Sequence, residues 1–127
     1  MMAQKARLFE DAEMLREIMA AKHPKQCKAL GQRVRGFDEK VWRDNRVPIV
    51  VAGNLAKFSQ NGQLRTYLCQ SGGRILVEAS PYDRIWGIGL TADDPRAENG
   101  SLWRGENLLG FSLMEVRDLL AAEAEKR

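Results

Sequence analysis

Length, composition and charge narrow the class of protein first. The chain has 127 residues, enough for one domain with one hydrophobic core, and its 44% hydrophobic and 29% charged residues are typical of a soluble globular protein. The net charge of +3 permits an anionic ligand but does not argue for nucleic acid, and the apolar runs are too short to span a bilayer. The N-terminus carries no apolar signal segment, so we expect a cytoplasmic protein without a membrane partner.

The cysteine and histidine content excludes further classes of site. The two cysteines, Cys27 and Cys69, are too few for a disulfide framework or a zinc site. The one histidine, His23, stands beside Pro24 and is expected in a solvated loop rather than in a catalytic triad. Nothing in the sequence requires a metal or a redox cofactor.

The N-terminal part of the chain is predicted to be helical. Residues 4–9 are expected to end a first helix, and Asp11 can cap a second one whose apolar residues follow helical spacing. Pro24 can open a short helix that reaches residue 34 and ends near Gly36. Asp38 can cap a further helix that carries Val41 and Trp42.

The C-terminal part mixes helices with one predicted strand. Residues 49–58 are ambiguous by periodicity, and we predict a helix; residues 61–73 indicate a turn, a short helix and a Gly-Gly stop. Residues 74–79 are the clearest strand, 91–100 a polar loop, and the last segment an amphipathic helix with Leu109, Leu113, Val116 and Leu120 on one face. The predicted fold is mainly α (α+β with a small β element), as a single domain over residues 1–127.

The stretch SPYDRIWG concentrates groups that can carry chemistry. Ser80 and Pro81 can fix a turn directly after the strand, and that turn would present Asp83 at a defined angle. Gly87 allows close approach of the backbone, and Trp86 offers a flat apolar face for a ring. The alternative is an ordinary loop in which Trp86 is a core residue and Asp83 pairs locally.

A second carboxylate, Glu78, precedes this turn on the largely apolar predicted strand. Burying it without a partner would be costly, so it is either a structural acceptor or a catalytic base with a raised pKa. In WRGENLLG, Asn107 follows Gly105 and can bind a base, a sugar or a phosphate, or can serve as a helix cap.

Two further stretches supply single candidates. Trp42 in GFDEKVW is either a core residue or a stacking platform, and Lys57 in NLAKFSQN can hold a phosphate or face solvent. No stretch matches the glycine-rich phosphate loops of nucleotide-hydrolysing enzymes, so nucleotide hydrolysis has no support.

Together these stretches resemble a known family, the YbiA-like or NADAR family. The resemblance rests on QKA, GFDxxxW, AKF, LVEASPxDxxWGxGL and WxGxNLLGxxLMxVR in this order, from residue 4 to about residue 120. It implies a mainly helical fold and N-glycosidase chemistry. Members are implicated in hydrolysing riboflavin-pathway aminopyrimidine ribose phosphates, and others in removing ADP-ribose from modified nucleobases.

The resemblance also implies roles for individual residues. The expected catalytic residues are Asp83, which would orient or activate water, and Glu78, its supporting carboxylate. The expected substrate-binding residues are Trp42, Trp86, Lys5, Lys57, Arg84, Gly87 and Asn107, with a tryptophan stacking on the base and Lys5, Lys57 or Arg84 holding phosphate.

One departure from the family pattern concerns the N-terminus. The family's first helix begins with a glutamate motif, E-H-x-x-Q-x-x-K-A, and Met1 stands just after the place of that glutamate. We therefore expect a domain truncated at its N-terminus, with the face around Met2, Ala6 and Phe9 exposed. Either the start lies upstream, or the product is truncated, or the chemistry uses other groups.

The predicted function is therefore an N-glycosyl hydrolase acting on a small ribose-phosphate substrate of the riboflavin pathway. The alternatives are an ADP-ribosyl glycohydrolase acting on ADP-ribosylated nucleobases, and a truncated remnant that only binds ligand. Nucleic acid is a partner only under the ADP-ribose alternative, because the chain has no basic stripe interleaved with aromatic residues.

Overall fold

The computed structural model describes residues 1–126, which form α-helices joined by turns and irregular loops. The helices are α1 (Met2–Leu8), α2 (Ala12–Ala20), α3 (Pro24–Gly31), α4 (Glu39–Ser59), α5 (Gly62–Gln70) and α6 (Leu108–Glu125), with short 3₁₀ turns at Pro95–Glu98 and Gly100–Leu102. The chain divides into two compact units, Met1–Ile49 and a second that begins at Val50. Within residues 1–126, no helix is long and apolar enough to cross a bilayer.

The first unit is built on the packing of α1, α2 and α3. Its core consists of Ala6, Met14, Ile18 and Val34, with Met2 and Phe9 among the half-buried residues packed against it. The expectation that the face around Met2, Ala6 and Phe9 is exposed is therefore wrong: Ala6 is fully buried. Burying this face of α1 removes apolar surface from water, which is the main stabilising contribution in such a small unit.

Polar side chains fix where the first helices begin. The Oδ1 atom of Asp11 accepts a hydrogen bond from the Met14 amide at 3.1 Å, so Asp11 caps α2 as predicted. His23 precedes Pro24 at the start of α3 and is exposed, and its Nδ1 atom accepts from the Lys25 amide at 3.1 Å. Helix α3 ends at Gly31, earlier than predicted, and Val34 follows it into the core.

Asp11 also holds the segment that follows α3. Its Oδ2 atom accepts from the Arg35 amide at 2.9 Å, and Oδ1 accepts from the Arg35 guanidinium at 3.3 Å. These bonds from Arg35, with that from the Met14 amide, lower the pKa of the buried Asp11 carboxyl to about 2. One carboxylate therefore joins the start of α2 to the segment that follows α3.

Helix α4 unites two stretches that the sequence predicts separately. The Oδ1 atom of Asp38 accepts from the Val41 amide at 3.0 Å and opens the helix, which continues through Pro48 to Ser59. An exposed i,i+4 ion pair, Lys40 to Asp44 at 2.9 Å, supports its first turns. Pro48 removes one backbone donor without ending the helix, so the helix predicted for residues 49–58 is the second half of α4.

The second unit packs α5 and α6 around a small core. Asn61 caps α5 through a hydrogen bond from the Leu64 amide to Oδ1 at 3.2 Å. The predicted apolar face of α6 is confirmed, since Val116 and Leu120 are almost fully buried. Ile88, which belongs to the glycine-rich stretch before α6, is also fully buried.

The predicted strand at 74–79, and with it the α+β assignment, is wrong, whereas the mainly α prediction agrees with the structure. Residues 74–80 have no regular secondary structure, and no strand occurs among residues 1–126. The hydrogen bonds that a neighbouring strand would supply come instead from side chains. The Asn107 amide pairs with Leu76 and Glu78, and the buried Arg117 guanidinium donates to the carbonyl of Arg74 at 2.8 Å.

Candidate functional site

The side chain of Asn107 organises the site in the second unit. It has no exposed surface, and its backbone is left-handed, with φ 54° and ψ 39°. Its Oδ1 atom accepts from the Glu78 amide and its Nδ2 donates to the Leu76 carbonyl, both at 2.9 Å. The amide thus pairs with the 74–80 segment as a peptide group of a neighbouring strand would, and both of its ends are used.

Backbone hydrogen bonds join the WGIGL stretch to the start of α6. The amides of Asn107, Leu108 and Leu109 donate to the carbonyls of Gly87, Ile85 and Trp86 at 3.0, 3.1 and 3.1 Å. These amides belong to the first turn of α6, whose donors have no partner inside the helix. The turn after Asp83 and the first turn of α6 therefore form one frame.

The frame is so tight that glycine is required at two of its positions. A Cβ atom on Gly105 would overlap the Gly87 carbonyl oxygen, and one on Gly87 would lie 2.8 Å from the carbonyl oxygen of Asp83 and 3.0 Å from that of Glu78. The close backbone approach predicted at Gly87 is therefore made by other backbone segments of the protein, those of Glu78 and Asp83. It also places the backbones of Glu78 and Asp83 beside each other.

Asp83 is held in a tight turn by its own neighbours. Its Oδ1 atom accepts from the amides of Ile85 and Trp86 at 3.0 and 2.8 Å, and its amide donates to Ser80 Oγ at 3.3 Å. Within residues 1–126, the other carboxylate oxygen, Oδ2, has no hydrogen-bond partner. The half-buried carboxylate is thus fixed in orientation with one oxygen left to bind something else.

Glu78 combines a fixed backbone with an exposed carboxylate. Its amide is held by Asn107, and its carbonyl oxygen accepts from the amides of Ser80 and Ile88, both at 3.0 Å. The side chain is exposed, and none of the described residues donates a hydrogen bond to it. Among the described residues the Glu78 carboxylate is therefore not a structural acceptor, and its oxygen atoms remain available for a catalytic role, which stays a prediction.

In the first unit, the structure brings together two of the predicted residues, Lys5 and Trp42. The Lys5 Nζ atom lies 5.5 Å from the centre of the Trp42 ring and 4.7 Å from that of the Phe37 ring. Burial lowers the pKa of Lys5, because desolvation disfavours the ammonium form. Phe9 packs on Phe37 with ring centres 5.4 Å apart, so the amine lies over two rings of a small aromatic cluster.

The remaining predicted residues, Lys57, Arg84 and Trp86, have simpler surroundings. Lys57 is exposed near the end of α4 and lies over the ring of its neighbour Phe58 at 5.7 Å. Arg84 is exposed in the Asp83 turn, and Trp86 is half-buried. Among the described residues of the second unit, the contact of Lys57 is with Phe58, and it does not indicate a site shared with Asp83 or Glu78.

Two contributors were not predicted. Arg117 is buried and donates to Ser71 Oγ as well as to the Arg74 carbonyl, both at 2.8 Å, and so anchors the start of the 74–80 segment. The sequence signal for this role was one arginine on the apolar side of the predicted last helix. Phe37, inside GFDEKVW, joins the Lys5 cluster, and its position next to Gly36 suggested only a turn. The described residues contain no cluster of three acidic, histidine or cysteine side chains that could hold a metal ion.

Comparison with known proteins identifies the family. The model of the NADAR domain matches residues 1–121. The chain belongs to the NADAR family. This confirms the family predicted from SPYDRIWGIGL and WRGENLLG.

Relatives with names agree with this assignment. N-glycosidase R617 of Acanthamoeba polyphaga mimivirus is 45% identical over 118 residues, covering 93% of this NADAR chain and 69% of that protein. Protein irg-1 of Caenorhabditis elegans is 39% identical over 126 residues, covering 98% of the chain and 59% of that protein. The riboflavin biosynthesis protein PYRR, chloroplastic, of Zea mays is 32% identical over 109 residues, covering 83% of the chain and 16% of that protein. The chain thus spans about 60 to 70% of the length of the first two relatives. The predicted class, N-glycosyl hydrolase, is confirmed at the level of the family.

Proposed function

We propose that the chain is an N-glycosidase that hydrolyses the ribosyl C–N bond of a phosphorylated riboflavin-pathway intermediate, an aminopyrimidine ribose phosphate. The name of the mimivirus relative supports the reaction, and the name of the maize relative supports the pathway. The observation that carries the proposal is the pair of carboxylates, Glu78 and Asp83, whose backbones lie together and which both keep unpaired oxygen atoms within the described residues.

The reaction needs a water molecule and stabilisation of a cation. The C–N bond breaks with its electron pair going to nitrogen, the ribose carbon becomes an oxocarbenium-like cation, and water adds to it. One water proton ends on the leaving amine and the hydroxyl on the sugar, so the atoms balance. Two carboxylates suit this reaction as they suit the hydrolysis of glycosides.

Asp83 is assigned to the water. Two hydrogen bonds from backbone amides to Oδ1 fix the plane of its carboxylate, so a water bound at Oδ2 would be held in a constant direction. Accepting a proton from a positioned water is general-base catalysis, and holding the base rigidly lowers the entropy lost on reaching the transition state.

Glu78 is assigned to the cation. Its exposed carboxylate extends from a backbone fixed on both sides, which suits a negative charge that has to lie near a developing positive charge. Trp42 or Trp86 is assigned to stacking on the leaving base, and Lys5, Lys57 or Arg84 to the phosphate. Alanine substitution of each tryptophan separates the two stacking assignments, because loss of the stacking residue raises KM for the base-bearing substrate.

The test is hydrolysis by the Asp83→Asn variant. Asparagine retains an oxygen that can accept from the Ile85 and Trp86 amides, so the turn is expected to persist while the basic oxygen is lost. Release of ribose 5-phosphate from the ribosylaminopyrimidine phosphate is expected to fall by roughly 10²- to 10⁴-fold in kcat.

Asp93→Asn is the matched control. Asp93 is exposed in the same unit, and no described residue pairs with it, so its variant is expected to keep wild-type activity. Activity of Asp83→Asn within a few-fold of wild type would contradict the assignment of Asp83. Wild-type protein that releases ADP-ribose from modified nucleobases, and no ribose 5-phosphate, would replace the proposed substrate with the ADP-ribose alternative.

A further inference from the structure

Two arginine side chains converge on Gly89 in the second unit. A Cβ atom on Gly89 would lie 3.0 Å from Arg104 Cβ and 3.3 Å from Arg84 Cγ, so the first atoms of both side chains lie close to this glycine. Gly89 has φ +70°, a left-handed conformation that a side chain would strain. The absence of a side chain at position 89 is what leaves room between the arginines.

The backbone holds this arrangement in place. The Arg84 carbonyl accepts from the Glu106 amide at 2.9 Å, and the Arg104 amide donates to the Ile88 carbonyl at 2.8 Å. A Cβ atom on Gly105 would lie 2.9 Å from Arg84 Cα, so the backbone carrying Arg84 runs directly against that carrying Arg104. The closeness of the two backbone positions that carry these arginines is therefore a property of the frame.

Neither guanidinium is neutralised. Both arginines are exposed, and in the described part of the chain neither has a hydrogen bond or ion pair from its side chain. Asp94, on which Arg104 acts electrostatically, is already held by Arg96 through hydrogen bonds of 3.0 and 2.7 Å. The bonds from Arg96 lower the pKa of Asp94 to about 2, with a smaller electrostatic contribution from Arg104.

Two guanidinium groups without an ion-pair partner repel each other when they approach, and an anion bound between them converts that repulsion into attraction. A guanidinium offers a planar fork of donors that matches the oxygen atoms of a phosphate, and two such forks can share one phosphate group. The partner chemistry indicated by this pair is thus a phosphate oxyanion.

We propose that Arg84 and Arg104 together bind the phosphate group of the substrate. This proposal rests on the proposed N-glycosidase function and deepens it: it selects Arg84 among the three candidates for the phosphate and adds Arg104, which the sequence did not single out. Arg84 directly follows Asp83, so a phosphate bound here anchors the sugar beside the carboxylate assigned to water. The pair would make the enzyme select phosphorylated over unphosphorylated ribosides.

The test is direct binding of ribose 5-phosphate, with ribose as the uncharged probe, measured by calorimetry. Wild-type protein is expected to bind ribose 5-phosphate more tightly than ribose, with the difference shrinking as salt is raised. Arg84→Gln and Arg104→Gln are each expected to weaken ribose 5-phosphate binding about tenfold or more, because each removes charge-assisted hydrogen bonds. The fold loss of affinity in the double variant is expected to be smaller than the product of the two single-variant losses, because both residues bind the same ligand.

Arg16→Gln is the control, since Arg16 is exposed on α2 in the first unit and the same charge is removed. Both test positions are exposed, so the variants are expected to unfold at the wild-type urea concentration. Binding of ribose 5-phosphate by Arg104→Gln as tight as by Arg16→Gln would overturn the proposal. ADP-ribose is titrated in parallel: arginine-dependent binding of either ligand supports the site, and the tighter one shows whether a monoester or a diphosphate is preferred.

The failure of this proposal is distinguishable from the failure of the proposed function. Arginine-dependent binding without hydrolysis would support the phosphate site and refute the reaction. Hydrolysis together with arginine-independent binding would support the reaction and overturn the phosphate site.

Discussion

Replacing Asn107 by alanine tests the idea that one side chain substitutes for a neighbouring strand. The substitution removes the acceptor of the Glu78 amide and the donor to the Leu76 carbonyl, at a residue with no exposed surface. Each buried group left without a partner costs about 1 to 3 kcal/mol, and alanine in the left-handed conformation adds about 1 kcal/mol. We therefore expect a loss of about 3 to 7 kcal/mol, a large part of the ~5–15 kcal/mol stability of a typical domain.

The measurement is urea unfolding followed by circular dichroism. Asn54→Ala is the matched control, because Asn54 Nδ2 also donates to a carbonyl, that of Val50 at 2.9 Å, but inside α4. That carbonyl belongs to a helix, where alanine is the best residue, so the control is expected to change stability by about 0.5 kcal/mol or less. A loss below about 1 kcal/mol in Asn107→Ala would refute the reasoning, since the 74–80 segment would then be held by something else.

Two further predictions concern stability. The pKa values of Asp11 and Asp94, about 2 in the folded protein, lie below the ordinary value of 3.8, so the unfolded chain binds more protons in acid. The stability that these two groups contribute should be constant above about pH 5 and should fall as the pH drops toward 2. Asp11→Asn should flatten that fall in urea midpoints measured across this range. A wild-type midpoint that stays constant down to pH 2 would contradict it. Gly105→Ala should lower the free energy of unfolding by several kcal/mol in the same urea assay, because its Cβ atom would overlap the Gly87 carbonyl oxygen. Gly53→Ala is the control: Gly53 has open space around it on α4, so alanine there should be neutral or stabilising. Equal effects at both positions would disprove the close approach.

Local signals in the sequence were sufficient for most helices. Asp11 and Asp38 cap helices because a carboxylate can accept from amides of the next turn, and this depends only on neighbours in the chain. The 74–79 segment shows the limit of such signals. Its β-branched and apolar residues favour extended backbone, but a strand needs a partner, and the residue that supplies the hydrogen bonds, Asn107, is distant in sequence.

The sequence motifs indicated which residues of the second unit lie near one another, whereas their membership of a functional site stays a prediction. The motif indicated Asp83, Glu78 and Asn107 together, and the structure gathers them in one frame. The roles assigned to these residues remain predictions. The burial of Asn107 could not be derived from the sequence, because an asparagine amide can hydrogen-bond a ligand and a peptide group equally well. The contact of Lys5 with Trp42 joins two residues that are far apart in the sequence, and no local pattern specifies it.

The hydrogen bonds that join the WGIGL stretch to the start of α6 involve main-chain atoms, and this determines which positions can be substituted without loss of the fold. Carbonyls and amides are the same whatever side chains they carry, so outward-facing positions such as Arg84 and Arg104 can be exchanged without loosening the turn. Substrate preference can therefore be altered separately from architecture, provided that the close-approach glycines and the buried amide stay. A library randomised at the two arginine positions would be expected to yield mostly folded proteins that differ in the ligands they accept.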